Sequence, residues 1–185
     1  MNTRDAVRLI AGAVPRGTGT WADIGAGDGT FTRALVERVG PRGRIYAVDR
    51  DARAVETLER WATKDAPNVI PVVADFSDPL DLPGLADRML DGMLLANVLH
   101  FVRDADAVLA RLAARLRPGG RVVLVEYDRR RASRWVPHPI PAARLPALAA
   151  SAGLSTPVIT ATRPSAYGGI LYVAAADRLA EERAR

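Results

Sequence analysis

The chain has 185 residues, 49% hydrophobic and 25% charged, which fits one domain of 1–185 with a real core. It contains no cysteine and two histidines, so disulfides, thiolate nucleophiles and the usual structural zinc sites are excluded, and a histidine-rich metal site is disfavoured. No apolar run is long enough to span a membrane, the first residues lack the basic-then-apolar layout of a secretion signal, and cytoplasmic location is the expectation.

The net charge is +5, but of the 26 basic residues only Lys64 is a lysine, and the arginines are scattered. That pattern describes a solvated surface and argues against a nucleic-acid partner. The one local cluster is Arg129-Arg130-Arg131 with Arg134.

In chain order, apolar spacing over residues 5–14 predicts a short amphipathic helix. Strand 1 is expected at 20–24, followed by the turn Gly25-Ala26-Gly27-Asp28-Gly29 and a helix over 30–39 that Gly40-Pro41 stops. Strand 2 covers 44–49, a helix 51–64, and strand 3 69–74. Residues 78–90 read as turns with a short helix around Leu85. Strand 4 covers 92–97, a long helix 104–116, a turn 117–120, and strand 5 121–127. Residues 129–144 are irregular and proline-rich, and 145–152 read as a helix. Two strands then follow without a helix between them, 157–162 and 169–175, joined by Pro164-Ser165-Ala166-Tyr167-Gly168. Alternating strands and helices imply a parallel sheet covered on both faces, and the closing hairpin requires one antiparallel strand.

Ligands of such sheets bind beyond the carboxyl ends of the strands. Asp23, Asp49, Asp75 and Asn97 all occupy predicted carboxyl ends and are expected to converge. The glycine turn narrows the ligand. A dinucleotide fingerprint needs G-x-G-x-x-G, and here the third glycine comes one residue early. Asp23 and Asp28 would repel a pyrophosphate, and the stretch has no P-loop lysine. An acid before the turn favours a ligand with an amino group, and Asp49 suits ribose hydroxyls. S-adenosylmethionine carries both features.

These segments resemble the class I S-adenosylmethionine-dependent methyltransferases. Asp23-Ile24-Gly25-Ala26-Gly27-Asp28-Gly29-Thr30 is similar to their first motif, Tyr46-Ala47-Val48-Asp49 to the second and Ala74-Asp75-Phe76 to the third. The stretch from Asp91-Gly92 to His100-Phe101 is similar to the fourth, and Leu116-Arg117-Pro118-Gly119-Gly120 with Val125-Glu126-Tyr127 to the strand 5 region. Within the class, the likeness is strongest to small-molecule enzymes of the ubiquinone/menaquinone biosynthesis type. The resemblance implies a Rossmann-like α/β sheet of seven mostly parallel strands, order 3-2-1-4-5-7-6, with strand 7 antiparallel. It implies a cofactor core over 20–128 and an acceptor side over 129–176. It also implies S-adenosyl-L-methionine as cofactor and S-adenosyl-L-homocysteine as product. By motif, Asp23 lies near the methionine end, Gly25, Ala26 and Gly27 lie under the cofactor, Asp49 with Arg50 stands at the ribose, Asp75 and Phe76 at the adenine, and Asn97 near the methyl.

Val98-Leu99 stands where amine-modifying members carry two prolines, which argues against adenine and glutamine acceptors. The expected acceptor is a small molecule, anionic or aromatic. His100 is the candidate base, since imidazole accepts a proton near neutral pH. The substrate-side candidates are His100, Tyr127, which with Glu126 closes strand 5, and Arg134, Trp135 and His138 in the loop beyond it. About twenty residues precede strand 1, little material for a lid, so the expectation is an open pocket or one closed by a second subunit of a homo-oligomer. Three alternatives stay open: a protein that binds S-adenosylmethionine without methylating, a nucleic-acid methyltransferase, and a nucleotide-dependent oxidoreductase.

Overall fold

Period-two burial along the strands decides the architecture. In β1 (Thr20–Ile24), Ala22 and Ile24 face one apolar cluster while Trp21 faces another. The same alternation splits Tyr46 and Val48 from Ile45 and Ala47 in β2 (Arg44–Asp49), and Met93 and Leu95 from Leu94 in β4 (Leu90–Ala96). Strands buried on both sides need a helical layer on each. The computed structural model describes residues 1–86, 88–166 and 168–180, and it has that three-layer form.

One layer holds α1 (Thr3–Ile10), α2 (Thr30–Val39) and α3 (Ala52–Asp65), through Leu9, Ile10, Leu35 and Leu58. The other holds α4 (Ala105–Ala113) and α5 (Leu145–Ser151), through Leu109, Leu112 and Leu148. The sheet is completed by β3 (Val69–Val73), β5 (Leu116–Asp128), β6 (Val158–Pro164) and β7 (Ile170–Asp177), in the order β3-β2-β1-β4-β5-β7-β6. Strands β1 to β5 pair in parallel, and β7 runs antiparallel to both β5 and β6. The expected order and the expected antiparallel strand are both present. Among the described residues, no helix is long and apolar enough to cross a membrane.

Several local expectations are corrected. No helix forms around Leu85 among the described residues. Pro83 removes a donor and Gly84 takes φ +70°, so the chain turns and still delivers Leu82 and Leu85 to the core. The helix expected over 104–116 ends at Ala113, because Leu116 pairs with Leu90 and opens β5. The expected turn at 117–120 therefore lies inside β5 as a register shift, with Gly119 at φ +72°. The expected 5–14 helix spans Thr3–Ile10 instead, with Asn2 accepting the Asp5 N–H at 2.9 Å as its cap. Arg38 donates to Ala11 O and Val14 O, fastening the end of that segment to α2. In the hairpin connection, Tyr167 lies outside the described residues.

One close contact fixes the β1–β4 pairing. Gly92 is the register partner of Trp21, and a Cβ there would stand 2.5 Å from the indole. Alanine within a strand usually gains stability over glycine, but here the buried indole must move. Gly92→Ala should lower stability by about 2 kcal/mol, read as a lower urea midpoint at unchanged slope. A midpoint equal to or above wild type would contradict this packing.

Candidate functional site

The carboxyl ends of β1, β2 and β4 come together around the glycine turn. Gly25, Gly27 and Gly29 all have positive φ, at 73°, 52° and 79°. Two of them also leave no room for a Cβ, and the third faces open space. A Cβ on Gly25 would lie 2.3 Å from Val98 Cγ1, and one on Gly29 2.3 Å from Leu58 Cδ2. A Cβ on Gly27 would meet nothing within 4 Å, because that residue borders a cavity. Gly25 and Ala26 donate to Val48 O at 2.8 and 2.9 Å, and Gly27 donates to Asp49 Oδ2 at 2.8 Å. The end of β2 thus grips the turn after β1.

Asp49 is engaged on both oxygens, since Asp51 N–H donates to Oδ1 at 2.9 Å. Each carboxylate oxygen retains a lone pair for a further donor. Asp51, not Asp49, caps α3, accepting Arg53 N–H at 2.9 Å. Asp28 accepts from the Thr30 N–H and hydroxyl at 3.1 and 2.9 Å, so its side chain starts α2.

Asp23 is 1% exposed and accepts the Thr32 hydroxyl at 2.6 Å. Burial pushes its pKa up to about 7; the Thr32 hydrogen bond opposes this, and the Asp49 and Asp28 carboxylates add to it. Asp75 moves the other way. The Ser77 N–H, 2.8 Å from Oδ1, holds it below the ordinary carboxylate value against partial burial, with help from Arg50 at 3.8 Å.

Asn97 follows β4 with φ +58°, a left-handed conformation that asparagine tolerates better than most residues. Its N–H donates to Val125 O at 2.8 Å. Its side-chain Oδ1 is buried and has no hydrogen-bond partner among the described residues. A buried acceptor left unpaired costs free energy unless a ligand supplies the donor.

Three cavities meet here. One of about 400 Å³ runs from Asp23 and Gly27 past Asn97 to Arg163 and Ser165 of the β6–β7 hairpin. A second, of about 200 Å³, is bordered by Gly25, Asp49, Arg50, Asp75 and Phe76. The third, of about 410 Å³, starts at Asn97 and His100 and is walled by Phe101, Tyr127, Arg130 and Trp135. Asn97 and Tyr127 border the first and third, while Gly25 and Val98 border the first and second.

Behind the wall of the third cavity, His100 is paired with Glu126. His100, 2% exposed, places Nδ1 2.7 Å from Glu126 Oε2, and its backbone N–H donates to Glu126 Oε1 at 3.2 Å. Glu126 is fully buried. A carboxylate only accepts, so the proton of this contact belongs to Nδ1. The β4–β5 register sets Ala96 beside Val125 and so brings the residues just beyond them together, a relation that spacing within either strand does not carry. Nearby Tyr172 is no candidate base. Burial, then the Glu126 and Asp128 carboxylates, push its phenol well up, and it donates to Ile140 O at 2.7 Å.

The loop after β5 sorts the remaining candidates. Trp135 borders the third cavity and is 63% exposed. Arg130, not Arg134, borders it too, with its guanidinium 4.7 Å from the Tyr127 ring centroid. Arg134 instead lies 4.7 Å from the Trp135 ring, displayed by a tight turn in which Ser133 and Val136 exchange backbone hydrogen bonds. His138 reaches the site through its backbone, donating N–H to His100 O at 2.9 Å. Asp23, Gly25, Ala26, Gly27, Asp49, Arg50, Asp75, Phe76, Asn97, His100, Tyr127 and Trp135 all border these three connected cavities. Arg134 and His138 do not.

Comparisons with known proteins agree with this geometry. Residues 22–120, a little over half of the chain, match the methyltransferase domain family. A stretch of 106 residues is 35% identical to an uncharacterized 37.1 kDa protein in transposon TN4556 of Streptomyces fradiae, covering 57% of this chain and 29% of that protein. Another of 107 residues is 27% identical to the ubiquinone/menaquinone biosynthesis C-methyltransferase UbiE of Bordetella avium, covering 58% and 40%. The chain therefore spans less than half the length of these relatives. Among solved structures, the Burkholderia thailandensis 1,6-didemethyltoxoflavin-N1-methyltransferase, bound to 1,6-didemethyltoxoflavin and S-adenosylhomocysteine, superposes with a TM-score of 0.73. It is 25% identical, over 96% of this chain and 78% of that one. The CurJ carbon methyltransferase, at 20% identity and TM-score 0.74 over 97% and 54%, shares the fold.

Asp23 gives a test of the site's electrostatics. Its folded pKa, about 7, lies above the ordinary 3.8, so between those values the folded state binds more protons than the unfolded chain. Stability therefore falls as pH rises through that window, and the full penalty of burying the ionised carboxylate is present above about pH 7. Asp23→Asn has no such proton. Urea unfolding at several pH values should show the variant gaining roughly 2–3 kcal/mol on wild type between about pH 5 and pH 8. A difference that stays constant across that range would contradict the buried, raised Asp23.

Proposed function

The chain belongs to the methyltransferase domain family, and we propose that it transfers a methyl group from S-adenosyl-L-methionine to a small-molecule acceptor, leaving S-adenosyl-L-homocysteine. The observation that carries this reading is the junction at Asn97. There the cavity along Asp23 and the glycine turn and a largely aromatic cavity share Asn97, whose side-chain oxygen is buried without a partner among the described residues.

The residues fit the cofactor part by part. Asp23 and the side-chain-free turn at Gly25 and Gly27 suit its amino acid end. The spare lone pairs of Asp49 suit ribose hydroxyls, with Arg50 beside them. Asp75 and Phe76 border the second cavity, where the adenine would lie. Gly27 leaves the floor free of a side chain, and a substituent there would project into space with no atom within 4 Å. Once bound, S-adenosyl-L-methionine supplies a methyl group made electrophilic by the attached sulfonium.

The chain's own contribution is alignment and proton removal. Holding the acceptor against the cofactor at Asn97 converts an encounter into a positioned reaction. His100 takes the acceptor's proton at Nε2, and Glu126 holds Nδ1–H and stabilises the imidazolium that results. The arginines after β5 support a small molecule over a nucleic acid, because they make local contacts instead of one basic face. Arg129 pairs with Asp128, Arg130 lies on Tyr127 and Arg134 on Trp135. A chain without cysteine has no disulfide to protect, and we place its work in the cytoplasm.

Isothermal titration with S-adenosylmethionine and S-adenosylhomocysteine tests the reading. Wild type should bind both, and Asp49→Ala should weaken both at least about tenfold, since it removes the ribose acceptor and frees Gly27. No binding of either ligand to wild type would overturn the proposal.

A further inference from the structure

The third cavity carries a more specific signature than a small-molecule site in general. We propose that the acceptor is a planar, unsaturated carboxylate whose carboxylate is anchored by Arg130. This rests on the reading above, in which that cavity is the acceptor side of the transfer site.

Charge comes first. Arg130 is half-buried and borders the cavity. Its guanidinium sits against the Tyr127 ring, and it forms no ion pair among the described residues. The nearby carboxylates are already engaged. Glu126 takes both donors of His100, while Asp128 accepts the Ala142 N–H at 3.1 Å and faces Arg129 at 3.6 Å. A guanidinium over a ring keeps N–H donors for a carboxylate, and an apolar wall strengthens the resulting pair by excluding water. A single arginine, without a lysine or a glycine-rich strip of N–H donors beside it, matches one negative charge better than a phosphate.

Shape comes second. Trp135 borders the cavity and is 63% exposed, and Phe101, 53% exposed, stands between it and the cavity at Asp49 and Phe76, although large rings usually find cover. Val136 adds an apolar wall. At about 410 Å³ the cavity suits a molecule of one or two rings. A flat, unsaturated body covers these rings, and its carboxylate reaches Arg130 while an acidic O–H, N–H or C–H reaches His100. The proton leaves to His100 Nε2 and the methyl replaces it on the same atom, so the acceptor's carboxylate is unchanged by the reaction.

The probes are 2-naphthoate, its uncharged amide and cyclohexanecarboxylate. Each is titrated into protein saturated with S-adenosylhomocysteine, whose own binding is measured first. Naphthoate should bind about tenfold more tightly than both the amide and the saturated acid. In Arg130→Gln, which should still bind S-adenosylhomocysteine, the preference for acid over amide should fall to about unity. It should persist in Arg131→Gln, an exposed neighbour that is not among the cavity's bordering residues. The proposal is overturned if naphthoate does not bind, if it binds no better than its amide, or if the preference survives in Arg130→Gln. If S-adenosylhomocysteine binds and naphthoate does not, only the acceptor assignment falls. If S-adenosylhomocysteine does not bind, both fall.

Discussion

The grip of β2 on the turn after β1 sets up everything else in the site. Val48 O accepts two consecutive N–H groups and Asp49 accepts a third, so Gly25, Ala26 and Gly27 are tied to the neighbouring strand. A turn so constrained must take left-handed backbone, which glycine supplies at little cost. It also presses Gly25 onto Val98, the residue after Asn97. Through that contact the conformation beyond β4 depends on the turn beyond β1, and the cavities inherit their common border.

The same constraint explains why polar groups are stored here at a cost. Asp23 is buried with one hydroxyl for company, Asn97 is left-handed with an oxygen unpaired among the described residues, and Glu126 is buried against the ring and backbone N–H of His100. Each is unfavourable alone. Asp23 and Asn97 border the same cavity, and Glu126 stands behind His100 at the next one. Strain gathered at the carboxyl ends of strands, over a conventional two-sided core, marks a site whose stability is completed by what it binds.

Much of this was legible in the sequence, for identifiable reasons. The runs Thr20–Ile24, Thr30–Val39 and Arg44–Asp49 have the same bounds in the structure as in the periodicity, because glycine or acidic punctuation flanks each one. The carboxyl-end residues followed from strand ends alone. What stayed hidden was mostly relational. Periodicity could not show that Glu126 faces His100, which depends on register between strands joined through a helix. Nor could it separate Arg130 from Arg134. Both lie in a stretch without helical or strand spacing, and a two-bond turn between Ser133 and Val136 decides which one faces the cavity. The missing helix near Leu85 was a propensity error, since apolar spacing was satisfied equally well by turns around Pro83 and Gly84.

A crystal structure of the protein with S-adenosylhomocysteine tests the central claim most directly. The amino acid end should lie beside Asp23 and Gly27, the ribose on Asp49, the adenine by Phe76, and the sulfur at the junction beside Asn97, with the aromatic cavity beyond it left free. A ligand lying instead in the cavity walled by Phe101 and Trp135, or one that makes no contact with Asp49, would contradict it.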